Sequence, residues 1–403
     1  MMGLYSLNAG MRRPARPGPL DPVLAAVVIA LIGFGVVMVY SASAIGAGVQ
    51  LRDTQYFLKR QAIYAAAGLV LMGLVSRVDY HRYRRLTYPI LAVVTALLLA
   101  CVLGFGHMGG GARRWLALGP IHLQPAEMAK LALVLWLSYS LSKKADQIRT
   151  FLIGFVPHLI MAGFLMFLCL KQPDFGGAVV LLFLTFTMLF VAGAKLGYLL
   201  GGAIAGGLGA IGLILSRSYR VARYLAWLDM DKHRQDAAYQ PFQSIMSFGS
   251  GGAVGLGLGR GLQVLYLPEA HNDFIAAIVG EELGFVGVLG LSFAYLLLVA
   301  RGVRIALSAS DDYGSFIAFG ISTMFGAQAL INLAVAMAIL PTKGLTLPFV
   351  SFGGSSLLVN AAAAGILLNI SRKREEPAVL VPESVDAPEA SAVVMTSAEG
   401  GRG

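Results

Sequence analysis

The hydrophobic pattern of this chain predicts a series of membrane-crossing helices joined by short polar connections. The first apolar stretch, 23–43, holds about 21 residues, roughly 31 Å of helix at 1.5 Å per residue, which matches the hydrocarbon thickness of a bilayer. The same criterion selects 56–75, 88–106, 127–141, 151–170, 177–192, 197–215, 274–300, 314–340 and 352–370, so the expected fold is an all-α polytopic membrane protein of about ten spans. Ser41-Ala42-Ser43 mimics a signal-peptidase site. The apolar stretch is too long for a signal peptide and many spans follow it, so the first helix is read as retained. Residues 1–22 form a lead-in whose prolines oppose a stable helix. Residues 371–403, rich in Pro, Glu, Ala and Ser without helical period, are expected to be disordered.

Composition agrees with this pattern. Of 403 residues, 57% are hydrophobic and only 13% charged, too little polar surface for a water-soluble globule. The net charge of +10 would suggest a nucleic-acid partner were the basic residues not gathered in short clusters between the spans. With a cytoplasmic N-terminus and alternating spans, Arg77/Arg82/Arg84/Arg85, Lys143/Lys144/Arg149, Arg301/Arg304 and Arg372/Lys373/Arg374 all fall inside, as the positive-inside bias requires, and the C-terminus is cytoplasmic too. The two cysteines, Cys101 and Cys169, lie in apolar runs and are read as packing residues.

Two outer connections are longer than helix joining needs. One covers 109–125. The other, 216–272, lies between the seventh and eighth spans. The first half of the long one is charged and aromatic and reads as an interfacial amphipathic helix. Its second half, SFGSGGAVGLGLGRG, suits a sharply bending, re-entrant backbone; a phosphate cradle is the alternative use of such glycines.

Ionisable residues in or beside apolar runs are expensive and therefore candidates for function. His271, Asn272 and Asp273 stand at the mouth of the eighth span, with Glu281 and Glu282 about 12 and 14 Å deeper, where they are read as helix ties. Asp273 either caps the helix or, held ionised by the positive helix end, serves as a general base or as a ligand for a divalent cation such as Mg2+ or Mn2+. No organic cofactor is expected. His271 is read as a neighbour of that base or as a structural residue. In GGGARRWLALGPIHLQPAEMAK, Arg113 and Arg114 face outward against the charge bias, which suggests an anionic ligand, while Trp115 is a candidate contact or an interfacial belt residue. Glu127 and Lys130 are spaced to share a helix face, as an ion pair or as substrate contacts. Arg260 and Lys343 are further candidates for a phosphate or a headgroup.

Together these segments resemble the SEDS family, the polytopic peptidoglycan polymerases with a division branch (FtsW) and an elongation branch (RodA). The resemblance is carried by GARRW (111–115), QPAEMAK (124–130), KQPDFGGA (171–178), SGGAVGLGLG (250–259), LPEAHNDF (267–274), GEELGFVG (280–287) and LPTKGLTLPFVSFGGSS (340–356), and covers nearly the whole membrane domain, 23–370. PEAHNDF, GEELG and PTKGLTLPF are more similar to the division branch. Where the family often has Ser after GLG and a Gln-Lys pair before Leu-Pro, this chain has Arg260 and Gln263-Val264.

The resemblance implies a glycosyltransferase that polymerises lipid II at the outer face of the bacterial cytoplasmic membrane and releases undecaprenyl pyrophosphate. It implies Asp273 as the base and Arg113, Arg114 and Arg260 as stabilisers of the leaving group. A class B penicillin-binding protein and other division proteins are the implied partners, and the division site the implied location. The rival readings are a lipid II flippase, which would need a polar path lined by Glu127, Lys130, Glu281 and Glu282, and a scaffold without chemistry.

Overall fold

The computed structural model describes residues 18–109, 112–119, 121–216, 218–342 and 344–372. The lead-in before 18 and the tail after 372 lie outside them. Every stretch expected to span the membrane is helical: α1 (Pro22–Leu51), α2 (Tyr56–Val75), α3 (His81–Ala100), α4 (Pro125–Lys143), α5 (Val156–Lys171), α6 (Phe175–Val191), α7 (Leu196–Leu215), α10 (Ile275–Leu307), α11 (Asp312–Ala336) and α12 (Gly354–Ser371). Within the 216–272 connection lie α8 (Ser218–Leu228) and α9 (Tyr239–Gly251). Among the described residues, eight helices are long and apolar enough to cross a bilayer. The other two differ for identifiable reasons. The α6 helix has 17 residues, and α4 carries Glu127, Lys130 and Lys143 in its 19.

The α4 helix tolerates those charges because it lies at the centre. Its residues from Pro125 to Leu141 are mostly buried against α3, α6 and α11, so protein rather than lipid surrounds it. The most apolar window of α12 is 72% buried inside the protein and that of α7 only 6%, which sets α12 in the core and leaves α7 to the lipid. Helix starts follow local chemistry. Asp21 accepts from the Leu24 amide (2.9 Å) ahead of Pro22, Asp174 from Gly177 (2.8 Å) and Asp311 from Gly314 (2.9 Å). At the face where α1 begins and α12 ends, the Asp21 amide donates to Ser371 Oγ (3.1 Å) and the Asp21 carboxylate pairs with Arg301.

Three features depart from the expected helices and loops. The 109–125 connection contains a small antiparallel sheet, β1 (His107–Gly109), β2 (Ala112–Leu118) and β3 (Ile121–Leu123), with β2 in the middle. The expected interfacial helix is two helices, and both are tied to the end of α11: the Trp227 indole of α8 donates to the Ala338 carbonyl (2.8 Å) and Ser244 Oγ of α9 to the Ala336 carbonyl (2.5 Å). Finally, α10 is broken at Gly284, whose φ of +65° interrupts the helical ladder.

The glycine-rich segment after α9 repairs that break. Leu256 and Gly257 donate to the carbonyls of Glu281 (3.0 Å) and Glu282 (2.9 Å), while Phe285 and Val286 donate to Gly252 (2.9 Å) and Ala253 (3.1 Å). Such close approach excludes side chains. A Cβ on Gly255, which sits at φ +80°, would lie 2.2 Å from the Glu282 carbonyl oxygen. The re-entrant reading of these glycines is therefore the one the structure adopts.

Gly255→Ala is expected to lower the thermal unfolding midpoint of the detergent-solubilised protein by several degrees, since a strained non-glycine residue costs about 1–3 kcal/mol before the clash is counted. Gly290→Ala, where a Cβ meets nothing within 4 Å, should be neutral or slightly stabilising in the same measurement.

Candidate active site

The face opposite the start of α1 and the end of α12 is built from connections: the sheet, the turn between α5 and α6, the approach to α10 and the loop between α11 and α12. Strand alternation separates two neighbours that the sequence presents together. Arg113 is exposed, and its Nη1 donates to the Gly104 carbonyl (3.2 Å). Arg114 turns the other way, giving its Nε to the Gln172 carbonyl (3.0 Å) and its Nη2 to Pro173 (2.7 Å). Those two bonds fix the guanidinium and leave Nη1 beside Gly344. A Cβ built on Gly344 would lie 3.9 Å from that nitrogen and 3.2 Å from Asp273 Oδ2, so the arginine and the carboxylate flank one glycine. Trp115 stands opposite His107 across β1 and β2, partly buried, on the Arg113 side of the strand.

Asp273 does not cap α10. Phe274 occupies the cap position with no side-chain bond, so the capping alternative is not realised. Nor does the helix end hold Asp273 at low pKa, as the sequence suggested. Burial raises its carboxyl to about 7, Glu269 and Asp174 add to the rise, and Arg114 opposes it. Loss of water outweighs the attraction of one guanidinium. Asp174 is also raised, chiefly by burial, and its bond from Gly177 and the charges of Arg114 and Lys130 work against that. It enters the sequence reading only as a letter of KQPDFGGA. The signal available there was the single carboxylate directly preceding an apolar run.

The backbone around Asp273 is held by α11 and by the connection that leads into α12. Asn332, buried near the C-terminal end of α11, donates through Nδ2 to the carbonyls of Asp273 (3.0 Å) and Leu345 (2.6 Å). Ser351 Oγ donates to the Asn272 carbonyl (2.7 Å), and the Phe352 amide to that of His271 (2.9 Å). The His271 ring packs on Phe57, with centroids 4.3 Å apart, and against Phe352 at 5.6 Å, and burial lowers its pKa. This is an apolar, neutral setting that suits a structural role. Lys343 lies outside the described residues, between Thr342 and Gly344. Among the described residues no three His, Cys, Asp or Glu side chains converge as a metal cage.

With this geometry in view, comparison with known proteins places the chain. Residues 22–376 match the FTSW_RODA_SPOVE family model, described as cell cycle protein. The chain belongs to this family. It is similar to the probable peptidoglycan glycosyltransferase FtsW of Geobacter sp. (strain M18), 42% identical over 88% of this chain and 97% of the relative. It is also similar to stage V sporulation protein E of Bacillus subtilis, 40% identical over 87% and 97%. Among solved structures, a chain of a peptidoglycan synthase complex coordinating polymerization and crosslinking superposes with a TM-score of 0.74 at 33% identity, covering 89% of this chain and 99% of that one. The rod shape determining protein RodA of Thermus thermophilus gives 0.67 at 31%, covering 89% and 98%.

In this FTSW_RODA_SPOVE family member Glu127, Lys130, Glu281 and Glu282 are engaged with partners other than Asp273. Lys130 Nζ bonds Glu127 Oε1 (2.6 Å) and Gln328 Oε1 (2.8 Å), and Ser356 Oγ donates to Glu127 Oε2 (3.0 Å) while lying 2.9 Å from Thr346 Oγ1. Both charged residues are sealed from solvent, so the structure uses them as an ion pair and not as open substrate contacts. Glu281 accepts from the Leu262 (2.8 Å) and Gln263 (3.0 Å) amides, and Glu282 from Ser41 Oγ (2.6 and 2.7 Å), which confirms them as ties between α10, the glycine loop and α1. Arg260 is exposed on that loop, beside Gly257. The loop meets α10 at Glu281 and Glu282, and Arg260 is not among the charges that act on Asp273.

Removing one partner of the sealed pair should be worse than removing both. Glu127→Ala, which leaves Lys130 without its counter-charge, is expected to destabilise by about 3–5 kcal/mol. Glu127→Leu/Lys130→Met should recover most of that loss; thermal unfolding of the purified variants is the measurement, and a double variant worse than the single would contradict it.

Proposed function

We propose that this chain polymerises lipid II into glycan strands at the outer face of the bacterial cytoplasmic membrane during cell division, with Asp273 as general base. The observation that carries this reading is a partly buried carboxylate raised to about 7 beside an anchored guanidinium, on the face opposite the start of α1 and the end of α12. The attacking 4-hydroxyl of one sugar forms a bond to the anomeric carbon of another, and its proton passes to Asp273. A carboxylate with a pKa near the working pH is suited to accept it. The bond from that carbon to the pyrophosphate oxygen breaks, and undecaprenyl pyrophosphate departs with the electron pair. Arg114 is placed to meet the developing negative charge with Nη1, since Nε and Nη2 are held by backbone carbonyls. Asp273 is the residue that would hold a divalent cation, and no step above is routed through one.

The division role is supported by relatives named FtsW at 42% and 45% identity, against 31% for RodA. The synthase complex among its structural relatives supports a class B penicillin-binding protein as partner. Flipping lipid II is less well supported: the Glu127–Lys130 group is closed and internally bonded, and it does not join Glu281 and Glu282 into a track.

Asp273→Asn keeps the shape and removes the base, so chain formation from lipid II by the purified, folded variant should fall about 10²-fold or more. Turnover near that of the unmodified protein would remove Asp273 from the mechanism. The rate of the unmodified enzyme should rise with pH through about 7, as Asp273 loses its proton, and the Asn variant should lack that limb.

Orientation is tested separately. Gln235→Cys, exposed in the connection between α8 and α9, should react with an impermeant thiol reagent on intact cells, whereas Ala387→Cys should not. The reverse pattern would invert the topology and move Asp273 to the wrong side for this chemistry.

A further inference from the structure

The face where α1 begins and α12 ends carries a polar assembly that the catalytic reading does not use. Tyr80, just ahead of α3, donates its hydroxyl to Asp311 Oδ1 (2.8 Å), lies 3.1 Å from Ser310 Oγ, and gives its backbone amide to Asn369 Oδ1 (2.9 Å). The His81 ring stacks on Tyr80 at 4.1 Å. Its Nδ1 is 2.8 Å from Asp79 Oδ1 and its Nε2 is 3.2 Å from Asp311 Oδ2. Asp311 also caps α11. Both ring nitrogens are thus engaged, and the two carboxylates are satisfied by neighbours on their own side. The result is a fixed wall.

Against that wall, the first turns of α3 present a different surface. His81, Arg82, Arg85 and Leu86 line a cavity of about 450 Å³ that opens outward. Arg82, Arg85 and Leu86 follow the i, i+3, i+4 spacing that puts side chains on one helix face. The two arginines are exposed, and among the described residues neither side chain makes a hydrogen bond or an ion pair. Arg84, in contrast, lies over the Tyr313 ring at 6.0 Å. Two unpaired like charges one turn apart repel each other, and the chain accepts that cost beside a hydrophobic residue at the membrane edge.

We propose that this cavity binds the headgroup of an anionic phospholipid, with Arg82 and Arg85 gripping the phosphate and Leu86 meeting the start of an acyl chain. Guanidinium groups match phosphate oxygens in a forked geometry that a point charge does not reproduce. Basic pockets between helices at the membrane edge are suited to lipid phosphates. Asp79 and Asp311 do not line the cavity, and their oxygens are held by His81, the Tyr80 hydroxyl and the Gly314 amide. The site is independent of the catalytic assignment and of which leaflet this face meets.

The test is native mass spectrometry of the full-length protein taken from phosphatidylcholine bilayers with and without phosphatidylglycerol. Arg82→Gln/Arg85→Gln is compared with Lys143→Gln/Arg149→Gln, which removes the same charge elsewhere on that face. The unmodified protein and the second variant should retain a phosphatidylglycerol that the first variant binds about tenfold more weakly or loses. Equal retention by all three proteins would overturn the proposal. So would an equal loss in both variants, which would mark bulk charge attraction only. Displacement by inorganic phosphate or phosphatidylcholine as readily as by phosphatidylglycerol would also overturn it, marking an unselective anion site. Glycan-chain formation by the Arg82/Arg85 variant should remain unchanged and reports that it is folded; should that variant aggregate, Arg85→Gln alone supports the same comparison.

Discussion

A peptide group inside a bilayer has no water to bond, and that constraint governs how this protein can break its own helices. Gly284 interrupts α10 within the membrane, freeing carbonyls at Glu281 and Glu282 and amides at Phe285 and Val286. The glycine-rich segment supplies the missing partners from 252, 253, 256 and 257, so the break and the loop exist only together. The two glutamates complete the repair. Their carboxylates take amides from the far end of the same segment and the hydroxyl of Ser41, which adds α1 to the assembly.

A second buried group organises the catalytic face from below. Lys130 and Glu127, one turn inside α4, bond Gln328 of α11 and Ser356 of α12, and Ser356 reaches Thr346 in the connection that passes Asp273. Burying an ion pair is costly, and its return here is directional: each bond fixes the azimuth of one helix around α4. The recess above it is dry enough that Asp273 and Asp174 both hold their protons more tightly than free carboxylates do.

The spans were legible because a hydrophobic run of bilayer length has few other uses, and all ten stretches are helical. The glycine segment was legible in kind but not in place, since sequence gives no hint that its partner is a broken α10. The sheet was hidden. Its strands are short, and the alternation in Ala112–Leu118 is visible only once a strand is assumed, which is also why Arg113 and Arg114 looked like one unit. Asp273 was identifiable as an ionisable residue at the mouth of a span. Its electrostatics were not, because Gly344, which packs beside it, and the repelling Asp174 both come from chain that is distant in sequence. Asn332 passed unnoticed as a lone amide in an apolar run, although the rule that flags carboxylates there applies to amides as well.

Asn332 also bears on how well such a site keeps its dimensions. The carboxylate and the segment it faces belong to connections on different helices, and in a bundle of this size small tilts would add along any path that linked them through the core. Both connections instead register on the same nitrogen atom, Nδ2 of Asn332, through bonds of 3.0 and 2.6 Å. A shared reference point removes the accumulated error, so the gap between base and facing loop is set by two bond lengths and is insulated from the breathing of the bundle around it.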